Sequence, residues 1–333
     1  MGRGEDDSIC SERRQVRRDA SILAHGCEKL ERDCDNGVRG LSFAASNCIN
    51  QLRWRPNFLN RDTTIVVPCY NEAARLDTSA FDAYLRQSEA ASFVFVDDGS
   101  RDGTREVLEQ LRARHPKRIA VLGLAENVGK AEAVRRGVRV ALRRAPEFVG
   151  YWDADLATPL SSIDRFRVVL AENSAMLLVM GSRVGLLGRH IKRTWKRHLA
   201  GRAFATAASM VLGLGVYDTQ CGAKLFRVTP ATTALFDKPF CTRWIFDVEI
   251  LARLLAAIRA AGSDAAAGPI YEYPLERWED VAGSRLKPRD FLLAATDLAV
   301  IQWRYSRRAG RVKADQILNV PVFEPRVSER KAA

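Results

Sequence analysis

The chain has 333 residues, 47% of them hydrophobic and 28% charged, which is apolar material enough for one large α/β unit or two domains and excludes general disorder. Lys and Arg exceed Asp and Glu by 52 − 40 = +12, a surplus that calls for a polyanionic neighbour: nucleic acid, an acidic membrane face or a phosphorylated ligand. No stretch reaches the roughly 20 consecutive apolar residues of a membrane-spanning helix, the N-terminus has no apolar signal core, and the 7 cysteines stand at no disulfide-like or zinc-like spacing, as expected of reduced thiols in a cytosolic protein.

Residues 1–60 mix charges of both signs without a clear period and are read as an extension of unknown role. From Thr63 the pattern changes. Thr64 to Val67 is a β-branched run closed by Pro68 and predicts a buried strand. After a helical stretch, Phe93 to Val96 predicts a second strand, ending in Asp97-Asp98-Gly99-Ser100. Val107, Leu108 and Leu111 set a helix over 104–114, Ile119 to Leu122 a third strand, and Ala133, Val134, Val138 and Leu142 a helix over 129–143. Phe148 to Trp152 is a fourth strand, ending in Asp153-Ala154-Asp155. This alternation predicts a mostly parallel sheet with helices on both faces. Further on, Cys221 to Phe226 reads as a strand, and 245–261 and 290–305 read as helices; the tail from 307 is basic and polar.

Functional groups in such sheets gather at the carboxyl ends of the strands, where Asp97, Asp98, Asp153 and Asp155 all fall. Two carboxylates one residue apart in a turn can face one hard cation, and Mg²⁺ commonly shares itself between one or two carboxylates and a substrate's phosphates. Asp97 or Asp98 could equally accept from a base or ribose, or cap a helix. Lys130 follows Gly129 at a helix start, a good place for phosphate and an ordinary place for a surface lysine.

Pro68-Cys69-Tyr70-Asn71-Glu72, Val96 to Ser100, Asn127-Val128-Gly129-Lys130, Asp153-Ala154-Asp155 and Gly181-Ser182-Arg183 together resemble the ordered motifs of inverting family 2 glycosyltransferases of the GT-A fold. Asp218 to Phe226, Phe246 to Glu249, Trp278 and Gly283 to Leu286 look like the subgroup that glucosylates dolichyl or polyprenyl phosphate. The resemblance implies a GT-A Rossmann-like domain over 61–306, with a nucleotide-sugar half (61–183) and an acceptor half (184–306) that includes a helical basic region. It implies that Pro68, Tyr70 and Glu72 line the nucleotide pocket, that Asp97 or Asp98 contacts the base, and that Lys130 and Ala154 adjoin the nucleotide-sugar. Asp153 would face the sugar-nucleotide, and Asp155, with Asp153, would hold Mg²⁺ or Mn²⁺. Ala157 stands where many mannosyltransferase relatives have Gln, so water or phosphate must complete the metal shell. Asp218 is either a base or a structural tie. Arg183 would sit near the diphosphate or the incoming acceptor phosphate, and Arg197, Arg202, Lys224 and Arg285 would meet the acceptor phosphate.

From Asn173 to Tyr217 there is no acidic residue, and Arg189, Lys192, Arg193, Lys196 and Arg197 recur at i,i+4 spacing beside Ile191, Trp195 and Leu199. That pattern reads as a basic amphipathic helix on a membrane surface, with a plain solvated charged face and a nucleic-acid groove as the other readings. The expected partners are therefore a nucleotide-sugar donor and a polyprenyl phosphate at the cytoplasmic membrane face, with no nucleic acid and no membrane anchor. GDP-mannose as donor, a soluble hydroxyl as acceptor, and a non-catalytic protein that binds anionic lipid or RNA are the alternatives. A nucleotidyltransferase would carry a Gly-rich phosphate loop where Pro68 to Glu72 stand.

Overall fold

The structure, a computed structural model, describes residues 62–89, 91–192, 195–261, 268–279 and 288–305. The predicted strands form as Thr63–Cys69 (β1), Ala91–Asp97 (β2), Ile119–Gly123 (β3) and Phe148–Trp152 (β4), with helices Thr78–Gln87 (α1), Thr104–Arg114 (α2) and Lys130–Ala141 (α3) between them. Beyond β4 come Ser161–Glu172 (α4), Leu178–Ser182 (β5), His190–Lys192 (β6), Trp195–Leu212 (α5), Ala223–Arg227 (β7) and Pro230–Ala234 (α6). Phe246–Ala260 (α7), Ile270–Pro274 (β8), Arg277–Glu279 (β9) and Pro288–Tyr305 (α8) complete the order. Local chemistry sets several starts. Asp77 caps α1 by accepting from the Ala80 amide, and Thr229 with Thr232 forms a reciprocal capping box ahead of Pro230.

Seven strands make one sheet in the order β3-β2-β1-β4-β7-β5-β8, all parallel except β7, which runs antiparallel between β4 and β5. Period-2 alternation divides each strand between two cores. Val66, Val96, Tyr151 and Phe226 face a cluster built with α3, α5, α7 and α8. Ile65, Phe93, Phe95 and Trp152 face another built with α1, α2 and α4. Phe81 meets Phe93 and Phe95 edge-on at 5.3 and 5.0 Å, and truncating such a ring costs about 3–5 kcal/mol.

The reversal of β7 positions the site. β1, β2 and β4 end at one edge of the sheet, and Ala223, the first residue of β7, pairs with Trp152, the last of β4. The 218–222 loop therefore arrives at the edge from which Asp153 and Asp155 depart.

The basic segment differs from the expected continuous helix. His190–Lys192 is a strand paired with β9, and the helix begins only at Trp195. The i,i+4 register therefore breaks between Arg189 and Arg197. Residues 1–60, the tail from 307, Arg285 with its Gly-Ser-Arg-Leu run, and the side chain of Arg197 lie outside the described residues.

Candidate active site

The loops after β1 and β2 are tied to each other. Asn71 adopts a left-handed backbone (φ 55°), donates its amide to Ser100 Oγ (3.0 Å) and accepts from the Arg101 amide (2.9 Å). The Glu72 amide donates to Thr104 Oγ1 (2.7 Å), and the Glu72 carboxylate is gripped by Arg75 at 2.5 Å. Tyr70 is left 42% exposed on this rim, free to offer its ring face. The two neighbouring aspartates part roles. Asp98 spends both carboxylate oxygens on the Val128 and Gly129 amides (2.8 and 2.9 Å), which fixes the loop ahead of α3. Burial raises its pKa, those two amides oppose the rise, and Asp97 adds to it. Asp97 uses Oδ1 on the Ser100 amide (3.1 Å). Of the pair, Asp98 is thus a loop clamp, and Asp97 is the one suited to a base contact.

Asp153 and Asp155 occupy a strained turn, since Leu156 beside them is left-handed (φ 52°), a conformation that stores strain in a non-glycine residue. Lys130 Nζ stands 2.5 Å from Asp153 Oδ1, which is buried and accepts no well-aligned hydrogen bond. The pair is electrostatic rather than directional. Desolvation acts against the Lys130 ammonium, but Asp153, Asp247 and Asp155 outweigh it and its pKa is raised. Asp155 Oδ1 accepts from the Ala157 amide (3.1 Å). Desolvation in the cleft, then the charge of Asp153, pushes the Asp155 carboxyl up, while Ala157, Lys130 and Arg75 pull it back. Two crowded carboxylates, with Lys130 as the cation against the Asp153 oxygen, suit a hard divalent cation. Among the described residues no group of three or more His, Cys, Asp or Glu side chains forms a metal cage, so phosphate oxygens and water would complete the shell.

Gly222 is built into this arrangement. A β-carbon there would overlap the Asp153 carboxylate, and the Asp153 amide donates to Gly222 O (3.0 Å). The 218–222 loop is held from below by Lys224, which is fully buried. Its ammonium donates to Thr219 O (3.1 Å), Cys221 O (2.7 Å) and Asp247 Oδ1 (2.6 Å). Tyr151 donates its hydroxyl to the same Asp247 oxygen at 2.5 Å. Above, Asp218 holds Arg183 through two contacts (2.5 and 2.7 Å) and also accepts from the Arg183 and Gln220 amides. Desolvation opposes the Arg183 charge, yet Asp218 more than compensates and raises its pKa; its guanidinium lies 5.2 Å from the Trp278 ring.

Pro68, Tyr70, Glu72, Asp97, Lys130, Asp153, Ala154 and Asp155 lie on the loops and strand ends of this one edge. Three expectations change. Lys224 cannot meet an acceptor phosphate, because it is sealed in the core and paired with Asp247. Arg202 donates to Tyr217 O (2.8 Å) and stacks on the Tyr217 ring at 3.9 Å, so it braces the loop. Asp218 has both oxygens engaged by Arg183, an arrangement that suits the structural tie. Glu249 likewise serves α7 internally, accepting from the Cys241 and Thr242 amides and pairing with Arg253 at 2.8 Å. Gly222 and Arg75 escaped the sequence reading. Gly222 carried a signal, as a glycine just before a strand can mark a close approach of another group.

Residues 64–230 match the family model described as glycosyl transferase family 2. The dolichyl-phosphate beta-glucosyltransferase of Homo sapiens is 30% identical over 274 residues, covering 78% of this chain and 80% of that protein. One from Trichomonas vaginalis is 33% identical over 252 residues, covering 72% and 70%. In fold, the chain is similar to glucosyl-3-phosphoglycerate synthase from Mycobacterium tuberculosis, solved with Mn²⁺, UDP and glucosyl-3-phosphoglycerate. The TM-score is 0.50 at 19% identity, over 74% of this chain and 80% of that one.

Proposed function

The chain belongs to glycosyl transferase family 2, and from that premise we propose that it moves glucose from UDP-glucose to a polyprenyl phosphate, inverting the anomeric carbon. It is a glycosyltransferase of the GT-A fold, and its relatives named above support glucosyl transfer to a lipid phosphate. The observation that carries the choice of acceptor is the state of Asp218. A sugar hydroxyl needs a base as its proton leaves, but both Asp218 oxygens are taken by Arg183. A phosphate has a second pKa of about 6, so its oxygen is already anionic at neutral pH.

An acceptor phosphate oxygen forms the bond to C1 of glucose as the bond from C1 to the UDP oxygen breaks. UDP departs with the electron pair, and the product is β-linked. Tyr70 and Asp97 hold the base end of the donor, and Asp98 sets the loop that presents Lys130 to the phosphates. When bound, a divalent cation at Asp155 and Asp153 supplies charge neutralisation for the departing diphosphate. Gly222 and Lys224 keep the Asp153 carboxylate in place. The catalytic unit is residues 61–306, and the enzyme is peripheral at an anionic bilayer face that the basic stretch of the sequence from Arg189 to Arg202 would attract. Among the described residues no helix is long and apolar enough to cross a membrane.

The test is a screen of sugar nucleotides with Mg²⁺ or Mn²⁺, with and without polyprenyl phosphate, read by mass spectrometry. Glucosyl-phosphoryl-polyprenol from UDP-glucose alone is the expected product. Mannosyl transfer from GDP-mannose, or equal transfer to soluble hydroxyl acceptors, would overturn the reading.

A further inference from the structure

Phosphate chemistry needs cations free to meet oxygen anions, and most of the arginines and lysines around this edge are engaged. Arg183 is held by Asp218, Lys224 by Asp247, Arg75 by Glu72, and Arg202 by Tyr217. Arg243 is different. It sits in the turn leading into α7, and that turn is fixed just before it by the Cys241 and Thr242 amides, which donate to buried Glu249 at 2.8 and 3.1 Å. Just after it, the Trp244 ring lies 6.4 Å from Phe204 of α5.

From this anchored turn the Arg243 side chain reaches across to the loop before α3. Its Nη2, Nε and Cζ lie 3.3, 3.6 and 3.9 Å from where a β-carbon of Gly129 would stand. Gly129 has φ 92° and ψ 153°, a backbone state essentially confined to glycine. The guanidinium thus rests on a bare stretch of main chain. The next residue is Lys130, whose ammonium touches Asp153. Among the described residues the Arg243 side chain makes no hydrogen bond and no ion pair. An exposed arginine normally extends into water; this one is laid against the donor-side loop with its donors unspent.

We propose that Arg243 is a phosphate-binding residue of the transfer site, contacting phosphate oxygens of the donor's diphosphate or of the acceptor. The planar guanidinium offers paired donors that match phosphate geometry, which an ammonium cannot reproduce. Its turn joins α5 and α7 of the acceptor half to the α3 loop of the donor half, so either phosphate source is within its chemistry. The proposal rests on the glucosyl-transfer reading above.

The experiment compares the full chain with Arg243→Gln and Arg243→Lys. Calorimetric titration with UDP and with uridine, each in Mn²⁺, isolates the diphosphate. Steady-state kinetics against polyprenyl phosphate isolate the acceptor. A tenfold or greater loss of UDP affinity in Arg243→Gln, with uridine binding unchanged, supports the proposal and assigns the donor. Unchanged UDP affinity with a tenfold or greater rise in KM for polyprenyl phosphate supports it and assigns the acceptor. Arg243→Lys should fall between Gln and wild type. Both quantities within twofold of wild type, or equal losses for UDP and uridine, overturn it. A wild-type enzyme that transfers no glucose sinks the functional reading, and Arg243 is then judged on the UDP arm, where unchanged affinity overturns it. Arg243 is exposed, and an unchanged melting temperature confirms that each variant is folded.

Discussion

Replacing Lys224 with Met preserves the length of the side chain and removes only its charged end. The ammonium is sealed from solvent, and its counterion Asp247 is 5% exposed in its side chain. Breaking a buried ion pair from one side costs about 3–5 kcal/mol, because the surviving charge stays buried without a partner. The carbonyls of Thr219 and Cys221 also lose a donor, at about 1–3 kcal/mol each where no water reaches them. These losses overlap, so about 3–5 kcal/mol is the expected total, a large share of the 5–15 kcal/mol that holds a typical protein folded. Urea titration followed by tryptophan fluorescence and circular dichroism reads it. The double variant Lys224→Met/Asp247→Asn removes the orphaned carboxylate while keeping an acceptor for Tyr151, and should recover about 1–3 kcal/mol of that loss through coupling of neighbouring sites. Activity should not recover, even at temperatures where the double variant is fully folded, because the loop carrying Gly222 has lost its clamp. A single variant within about 1 kcal/mol of wild type, measured against that 3–5 kcal/mol range, or a double variant with restored turnover, would refute the argument.

Three further outcomes follow from the same geometry. Asp155 has a folded-state pKa above its unfolded value, so its ionisation disfavours the metal-free fold: stability is fullest below the unfolded pKa and is lost as pH rises through the folded one. Asp155→Asn should therefore raise the melting temperature in EDTA at pH 7 while abolishing the additional rise that Mn²⁺ gives wild type, and a variant still stabilised by Mn²⁺ would contradict the ligand assignment. In wild type, Mn²⁺ affinity should fall on acidification from above the ordinary carboxylate range of about 4, since a ligand must be deprotonated to bind; titration calorimetry over roughly the three pH units above that value follows it. Gly222→Ala should cut kcat by about a hundredfold or more, the scale on which misplacing a reacting group by about 1 Å acts, and a variant with wild-type kinetics would show that the Asp153 carboxylate has room to spare.

The stretch from β1 to β4 was legible because its signals are local. The runs Thr64 to Val67 and Phe148 to Trp152 declared themselves as buried strands, and the aspartates fell at their ends as a parallel sheet requires. The expectation that Lys224 meets the acceptor phosphate fails, although a signal of its burial was present. Alternation along Ala223–Arg227 puts Lys224 on the same side as Phe226, a core residue, so its burial follows from period 2. The basic stretch misled because its i,i+4 spacing is genuine, yet His190–Lys192 is claimed as a strand by β9, a partner far along the chain that periodicity cannot reveal. Arg243 carried no local signal at all. Its position matters only because Gly129, distant in sequence, leaves space beneath it.

The reversed strand β7 has an evolutionary corollary. In an all-parallel sheet every loop at the functional edge follows a strand, so changing a loop also changes the route into the next helix. Here one loop enters the edge from the opposite direction, and the clamp that secures it lies in its own strand and in α7. Insertions between α5 and Asp218 could reshape what the enzyme accepts without altering the path from β1 to β4. On the roles proposed above, substrate range and nucleotide chemistry fall on separately variable parts of one chain.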